Sequence, residues 1–316
     1  MSFEPPQVWA VIAAYRRPQR LRALLASLAT QTTALSGVLV VDNAGDPETA
    51  AVSAAAPLAV RHLQPGRNLG CGGGVAHGLA TGLADTGATH FWQLDDDTTV
   101  AAGALTALLE ALESAEADVA VPLIVNPEQR VCWFPGPLPV TDWRNLGREV
   151  VTVEAFHARF GIAPLTWEWS PWTSLLLTRR AVEAVGLPRD DFWFQGEDIE
   201  FTLRLSARFR CVLAPRAVCV HYAELSPVGR TAFLKQCAQL QNYAYTCTRL
   251  VHGRRARRYL PGNLWRFLRR GGFRPAAWGA AAAALWRGAA RGRPAGATGA
   301  DQFAQAWRRA VDERSG

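Results

Sequence analysis

Phe91-Trp92-Gln93-Leu94-Asp95-Asp96-Asp97-Thr98-Thr99 joins four residues suited to a buried strand to three consecutive carboxylates. The apolar part ends where a sheet would stop and the backbone would meet solvent. Three like charges repel unless water or a cation offsets them, and a hard divalent ion prefers carboxylate oxygens of this kind. The plainer reading is a solvated turn capping a helix that begins near Thr99.

Working outward, Val8–Ala14 is an apolar run predicted as a buried first strand, ended by Tyr15, Arg16, Arg17 and Pro18. Pro18 suits a first helical turn, and Leu21, Leu24, Leu25 and Leu28 recur at helical spacing up to about Gln31. Gly37–Val41 reads as a second strand, closed by the turn formers Asp42, Asn43, Ala44 and Gly45. Strand, helix, strand with polar residues at the carboxyl ends opens a doubly wound sheet, in which ligands sit beyond those ends.

Leu58–Leu63 is a weaker third strand, followed by Arg67-Asn68-Leu69-Gly70-Cys71-Gly72-Gly73-Gly74. Glycines in such density lose much backbone entropy on folding, so they imply close approach of a ligand to the main chain or several positive φ angles. A helix starting at Gly74 would aim its amide N–H groups at an anion such as a diphosphate. His77 and Asp85 read as surface residues.

Beyond the aspartates, Leu105, Leu108, Leu109 and Leu112 mark an amphipathic helix, and Asp118–Val125 a buried strand. Residues 126–160, rich in Pro, Gly and Trp, read as loops with an edge hairpin over the site. Trp167, Trp169 and Trp172 precede an apolar strand, Thr173–Leu177; clustered tryptophans stack on sugar rings or fill a core. Glu197, Asp198 and Glu200 follow the aromatic Phe192-Trp193-Phe194. Acids in a first helical turn are favoured by the dipole, and desolvation beside aromatics would raise a carboxylate's pKa and ready it as a base. Cys211–Val220 is a further strand ending at His221, which could join aspartates around an ion if its imidazole were neutral.

With 49% hydrophobic and 19% charged residues, the chain of 316 residues has the composition of a soluble globular protein. Met1–Trp9 has neither the basic flank nor the apolar core of a signal peptide, so none is expected. Apolar runs fall short of the roughly 18 residues needed to span a bilayer, Ala276–Trp286 coming nearest. Six cysteines without a Cys-x-x-Cys pair argue against a zinc knuckle or redox motif and for reduced thiols in a cytosolic protein. The net charge of +7 is uneven: residues 249–293 hold twelve arginines and no acid, which leaves about −5 for everything else.

Taken in order, these motifs resemble the inverting glycosyltransferases of family 2, which have the GT-A fold. The bacterial galactofuranosyl- and rhamnosyltransferase-like subset with Asn-x-Gly-x-Gly-Gly loops is most similar. The likeness rests on Tyr15, Arg17 and Pro18 after the first strand, Asp42 and Asn43 after the second, and the loop Asn68–Gly74. It continues through Asp95, Asp96 and Asp97, Trp172, Glu197 with Asp198, and His221. Arg16, Ala14 and Glu197 depart from the family's usual Asn, Thr and Asp.

The resemblance implies an α/β fold of GT-A type, a Rossmann-like mixed sheet with flanking helices, over residues 1–228. Residues 229–316 would form a helical, arginine-rich extension. It implies that Tyr15, Arg17, Asp42 and Asn43 hold the nucleoside, and that Asn68, Gly72, Gly73, Asp95 and Asp96 line the donor site. Asp95, Asp97 and His221 would bind Mn2+ or Mg2+ on the donor diphosphate. Trp172 would face the acceptor, and Asp198, paired with Glu197, would take the proton from its hydroxyl. The implied partners are a nucleoside diphosphate sugar of dTDP-rhamnose or UDP-galactofuranose type and a glycan, lipid-linked glycan or other acceptor.

In the tail, Ala232–Arg249 has a helical pattern, and Tyr259, Leu260, Leu264, Trp265, Phe267 and Leu268 alternate with arginines. Such helices lie in membrane interfaces, where arginines meet an anionic leaflet; a solvated helical face is the plainer reading. The expected location is the cytoplasm, peripheral on the inner face of the plasma membrane. A sugar nucleotidyltransferase would instead place a basic glycine loop directly after the first strand. A nucleic-acid-binding protein could use the arginine tail, but no nucleic-acid module is recognisable, and no nucleic-acid partner is expected.

Overall fold

The computed structural model describes residues 5–136, 152–192, 195–222, 230–250, 264–265, 267–269 and 275–290. The chain runs β1 (Val8–Ala14), α1 (Pro18–Ala29), β2 (Gly37–Asp42), α2 (Pro47–Ala54), β3 (Val60–Leu63), α3 (Gly70–Asp85) and β4 (His90–Asp95). It continues through β5 (Thr98–Val100), α4 (Ala104–Ser114), β6 (Val119–Val125), β7 (Val131–Trp133), α5 (Val153–Phe160) and β8 (Leu165–Thr166). The remaining elements are β9 (Ser174–Thr178), α6 (Arg179–Val185), α7 (Glu197–Ser206), β10 (Cys211–His221), α8 (Arg230–Arg249) and α9 (Pro275–Ala290).

One mixed sheet has the order β3-β2-β1-β4-β9-β6-β10-β5, with β7 added to β6 and β8 to β10. β1 is parallel to both β2 and β4, so the chain reverses its direction of travel across the sheet at β1. That switch point opens a crevice beyond the carboxyl ends of β1 and β4. β2 and β6 are buried at every position, which explains their unbroken apolar runs. α1 lays Leu21, Leu24, Leu25 and Leu28 on the same core as Leu105, Leu108 and Leu112 of α4. Asp46, Thr152 and Thr178 cap α2, α5 and α6 by accepting the N–H of Glu48, Ala155 and Ala181.

Four expectations change. The helix after the glycines starts at Gly70, not Gly74, so the glycines form its first turn. Thr98–Val100 is a strand paired antiparallel with Cys219–His221, and the helix expected near Thr99 starts at Ala104. Tertiary pairing there overrides a local capping signal. Within 126–160, β7 pairs with β6 as an edge hairpin, but α5 was not anticipated. That helix buries only Phe156, beside Phe134 and Phe160, too little to leave a periodic pattern. Residues 137–151 of that stretch lie outside the described residues. Phe267 and Leu268, assigned to an interfacial face, are 3% exposed and pack with Cys237 and Leu240.

The chain forms two compact units. One holds Met1–Leu69, Gly74–Pro188 and Phe201–Ala223; the other holds Gly70–Gly73, Arg189–Glu200 and Glu224–Gly316. Residue 228, where the sequence suggested a boundary, lies in the stretch 223–229, outside the described residues. Among the described residues no helix is long and apolar enough to cross a membrane.

Candidate active site

In the first unit the carboxyl ends of β4 and β10 converge with the amino end of β5. Asp95 ends β4, Asp97 immediately precedes β5, and His221 ends β10. β4 and β5 are consecutive in the chain but separated in sheet order by β9, β6 and β10. The short turn between them is therefore held at both ends. Thr98 Oγ1 donates to the Asp95 carbonyl at 2.8 Å, and the Tyr222 N–H donates to the Asp97 carbonyl at 2.9 Å. Pairing of His221 with Thr98 then brings the imidazole to Asp97, with Nε2 3.3 Å from Oδ1.

Asp95, Asp97 and His221 each present a ligand atom, all within 4.8 Å of one another. Two carboxylates and an imidazole suit Mn2+ or Mg2+ in donor type. The buried Nδ1 of His221 has no hydrogen-bond partner among the described residues, a polar atom that a bound group or water would satisfy. The cluster thus fits a divalent cation on geometry and on chemistry.

Asp96 bonds instead to the residues that follow β1. It is 6% exposed and accepts the Tyr15 N–H at 2.9 Å and Arg17 Nη1 at 3.1 Å. Arg17 Nη1 also donates to Asp97 Oδ2 at 2.8 Å. Arg16, between them, has φ 53, a left-handed conformation costly for a non-glycine residue and sustained here by bonds on both sides. Burial pushes Asp96 up to about 6, against the opposing pull of Arg17 and the Tyr15 N–H. Burial also acts to raise Asp97, but His221 and Arg17 outweigh it and hold that carboxyl below its usual range. His221 is disfavoured as a cation by burial, yet Asp97 and Asp95 raise its pKa above the ordinary imidazole value.

On the other side of β1, Asp42 is 1% exposed and saturated. Its Oδ1 accepts the N–H of Ala44 and Gly45, and its Oδ2 accepts the N–H of Asp46 and faces His62 Nε2 at 3.2 Å. It therefore shapes the loop after β2. Asn43 Oδ1 accepts the Leu69 N–H, and a Cβ at Gly74 would lie 2.7 Å from Asn43 Nδ2. The second-strand motif and the glycine loop are locked together, with Asn68 half-buried beside them. Trp172 is 3% exposed, its ring edge-on to Phe201 at 6.1 Å.

The second unit gathers the glycines and the acid pair. A Cβ at Gly72 would meet the carbonyls of Arg189 and Phe192 at 2.8 and 2.9 Å and Glu197 Cβ at 3.2 Å, so only glycine fits there; Gly73 beside it is also buried. Gln195 and Gly196 take positive φ just before α7, and Asn242 of α8 donates to the Gln195 carbonyl at 2.7 Å. Arg189 bridges Asp191 and the Tyr245 hydroxyl, and Tyr245 stands edge-on to Phe192. Glu197 and Asp198 open α7 on this support. Burial raises Asp198 to about 6 although its carboxyl accepts the Ile199 N–H at 2.8 Å. A carboxyl poised there is ionised near neutral pH and more basic than an ordinary aspartate.

Sequence reading missed His62, Gln93 and Asn242. Gln93 is 1% exposed and donates from Nε2 to Asp95 Oδ1 at 3.3 Å. A polar amide inside an apolar strand was the available signal for Gln93; His62 and Asn242 carry none, because their partners lie far off in sequence.

Comparisons with known proteins follow the same lines. Residues 9–147 match the model of Glycosyl transferase family 2. Galactofuranosyltransferase GlfT1 of Mycobacterium tuberculosis is 31% identical over 230 residues, 72% of each chain. Among solved structures, the mannosyltransferase PcManGT from Pyrobaculum calidifontis, in complex with GDP-Man and Mn2+, superposes with a TM-score of 0.56. It shares 19% identity and covers 98% of this chain and 81% of its own. S. aureus TarS 1-349 with UDP-GlcNAc gives a TM-score of 0.58 at 14% identity, covering 88% of this chain and 79% of its own.

Proposed function

The chain belongs to glycosyl transferase family 2 as an inverting enzyme of GT-A fold, and from that premise we propose the following site and reaction. The enzyme moves a hexosyl group from a nucleoside diphosphate sugar to a hydroxyl of a glycan or lipid-linked glycan. Of the two donor types that the family resemblance implies, UDP-galactofuranose and dTDP-rhamnose, the likeness to a galactofuranosyltransferase favours the first. Family membership sets aside the nucleotidyltransferase alternative.

One observation carries the reading: Asp95, Asp97 and His221 converge within 4.8 Å at the carboxyl edge of the sheet, beside the switch point. These three residues would hold Mn2+ or Mg2+. When bound, the ion supplies Lewis-acid stabilisation of the negative charge that develops on the departing diphosphate. Tyr15 and Arg17 line the nucleoside side of the crevice, while Asp42 and Asn43 shape the loops around it. Asn68 and the main chain at Gly72 and Gly73 border the donor. Asp96 holds Arg17 and the Tyr15 backbone in place.

Asp198 accepts the proton of the acceptor hydroxyl as that oxygen bonds to the anomeric carbon and the bond from carbon to phosphate oxygen breaks. One base suffices for a single displacement, so the chain's residues form no covalent bond to the sugar. Glu197 is its neighbour at the same helix start, and Trp172 is the residue proposed to meet the acceptor. Thermal-shift screening of nucleotide sugars with Mn2+ tests the donor assignment, because a ligand that binds only the folded form raises its stability. UDP-galactofuranose or UDP is expected to give the largest shift. Stabilisation by no sugar nucleotide or nucleoside diphosphate would overturn the assignment.

A further inference from the structure

The outward surface of α9 is built unlike that of a solvated helix. Pro275–Ala290 carries one charged residue, Arg287, and otherwise only alanine, glycine, tryptophan, leucine and the initial proline. Ala281 and Ala284 are buried, and Gly288 lies against α8 so closely that a Cβ would collide with the Gln241 carbonyl and meet Ala244 Cβ at 2.7 Å. That fixes which side faces in. The side facing out holds Trp278, Gly279, Ala282, Trp286 and Ala289, at the spacing of a single helical face. Trp278 and Trp286 are 51% and 72% exposed. A surface helix ordinarily places charged and polar residues there, and a continuous apolar face with two large aromatics marks an interaction surface.

Charge identifies the occupant. Residues 249–293, which contain this helix, hold twelve arginines and no acidic residue. Arg269 and Trp265 are both exposed in the segment just before α9. A second copy of the chain docking through this face would bring two such segments together and pay their mutual repulsion. An anionic lipid surface reverses the sign of that interaction and also takes up tryptophan at head-group depth. The helix is too short and too broken by glycine to span a bilayer, so it would lie along the interface.

We propose that the exposed face of α9, anchored by Trp278 and Trp286 within the arginine-rich segment 249–293, is a docking surface for anionic lipid. This differs from the face expected from sequence, because Phe267 and Leu268 point into the unit's own core. The surface is independent of the donor site: lipid docking and sugar transfer can each stand or fall alone.

The test is flotation of the full chain with vesicles of phosphatidylglycerol and phosphatidylcholine, against vesicles of phosphatidylcholine alone. The wild type is expected to float with the anionic vesicles and to release as salt rises. Trp278→Ala with Trp286→Ala is expected to weaken vesicle binding about tenfold or more. Trp133→Ala, which removes an exposed tryptophan of the other unit, is expected to leave it unchanged. Both variants are checked for intact folding by donor-nucleotide binding and thermal melting. The proposal is overturned if the wild type ignores anionic vesicles, or if the double variant binds them as the wild type does. It is also overturned if the wild type is a dimer that the double substitution dissociates and vesicles do not.

Discussion

The backbone N–H of Tyr15 donates to the carboxylate of Asp96 at 2.9 Å, tying the end of β1 to the end of its parallel neighbour β4. The same carboxylate receives Arg17, so one buried side chain sets both flanks of the crevice. Asp96→Ala leaves a buried main-chain donor and a guanidinium without that acceptor and is expected to cost about 1–3 kcal/mol. Asp96→Asn keeps an acceptor oxygen and is expected to cost less. Urea melts of the two variants measure the difference, and equal losses would show that the hydrogen bonds are not what Asp96 contributes.

Asp97 stands between the proposed cation site and Arg17. Asp97→Ala is expected to weaken Mn2+-dependent binding of nucleoside diphosphate by about tenfold or more, since a ligand and a charge are lost together. Calorimetry with and without a chelator reads this directly. Binding by the wild type that the chelator does not touch would remove the metal from the account.

Asp198 makes two opposite demands on pH. As a base it must be ionised, so transfer is expected to rise with pH through an acid limb near 6, the value to which burial moves it. Asp198→Asn is expected to abolish transfer while sparing donor binding, and a variant with normal turnover would remove Asp198 from the chemistry.

Stability runs the other way. The folded pKa of Asp198 lies above its unfolded one, so its stabilising effect is complete below the ordinary aspartate range and is lost as pH rises through about 6. At pH 7.5 the Asn variant is therefore expected to melt higher than the wild type, and the gap should close as pH falls toward 4. A gap that widens in acid would contradict the assigned direction.

α3 rides close on the sheet because it has glycine where other helices have side chains. A Cβ at Gly78 would lie 2.5 Å from Val11 Cγ1 and 3.2 Å from Val41 Cγ2. Gly78→Ala is expected to destabilise by about 1–3 kcal/mol despite alanine's better helix propensity. Gly87→Ala, with nothing within 4 Å of its Cβ, serves as the control and should leave the melting temperature nearly unchanged.

Fold class and the roster of polar strand ends were legible in the residues alone. Buried strands must be apolar along their whole length and their carboxyl ends must turn, so Val8–Ala14, Gly37–Asp42 and Val119–Val125 announce themselves together with the residues that follow each. Which of those ends meet depends on long-range strand pairing. His221 reaches Asp97 because Thr98–Val100 pairs with β10 across the sheet, a contact between residues far apart in the chain that no local pattern encodes. Likewise the tail's composition announced an arginine-rich, tryptophan-bearing segment. Which tryptophans face outward was settled by packing: Gly288 lets α9 approach α8, and Phe267 and Leu268 are buried with Cys237, Leu240, Ala281 and Ala284. Local sequence sets what a residue can do, and long-range burial chooses its neighbours.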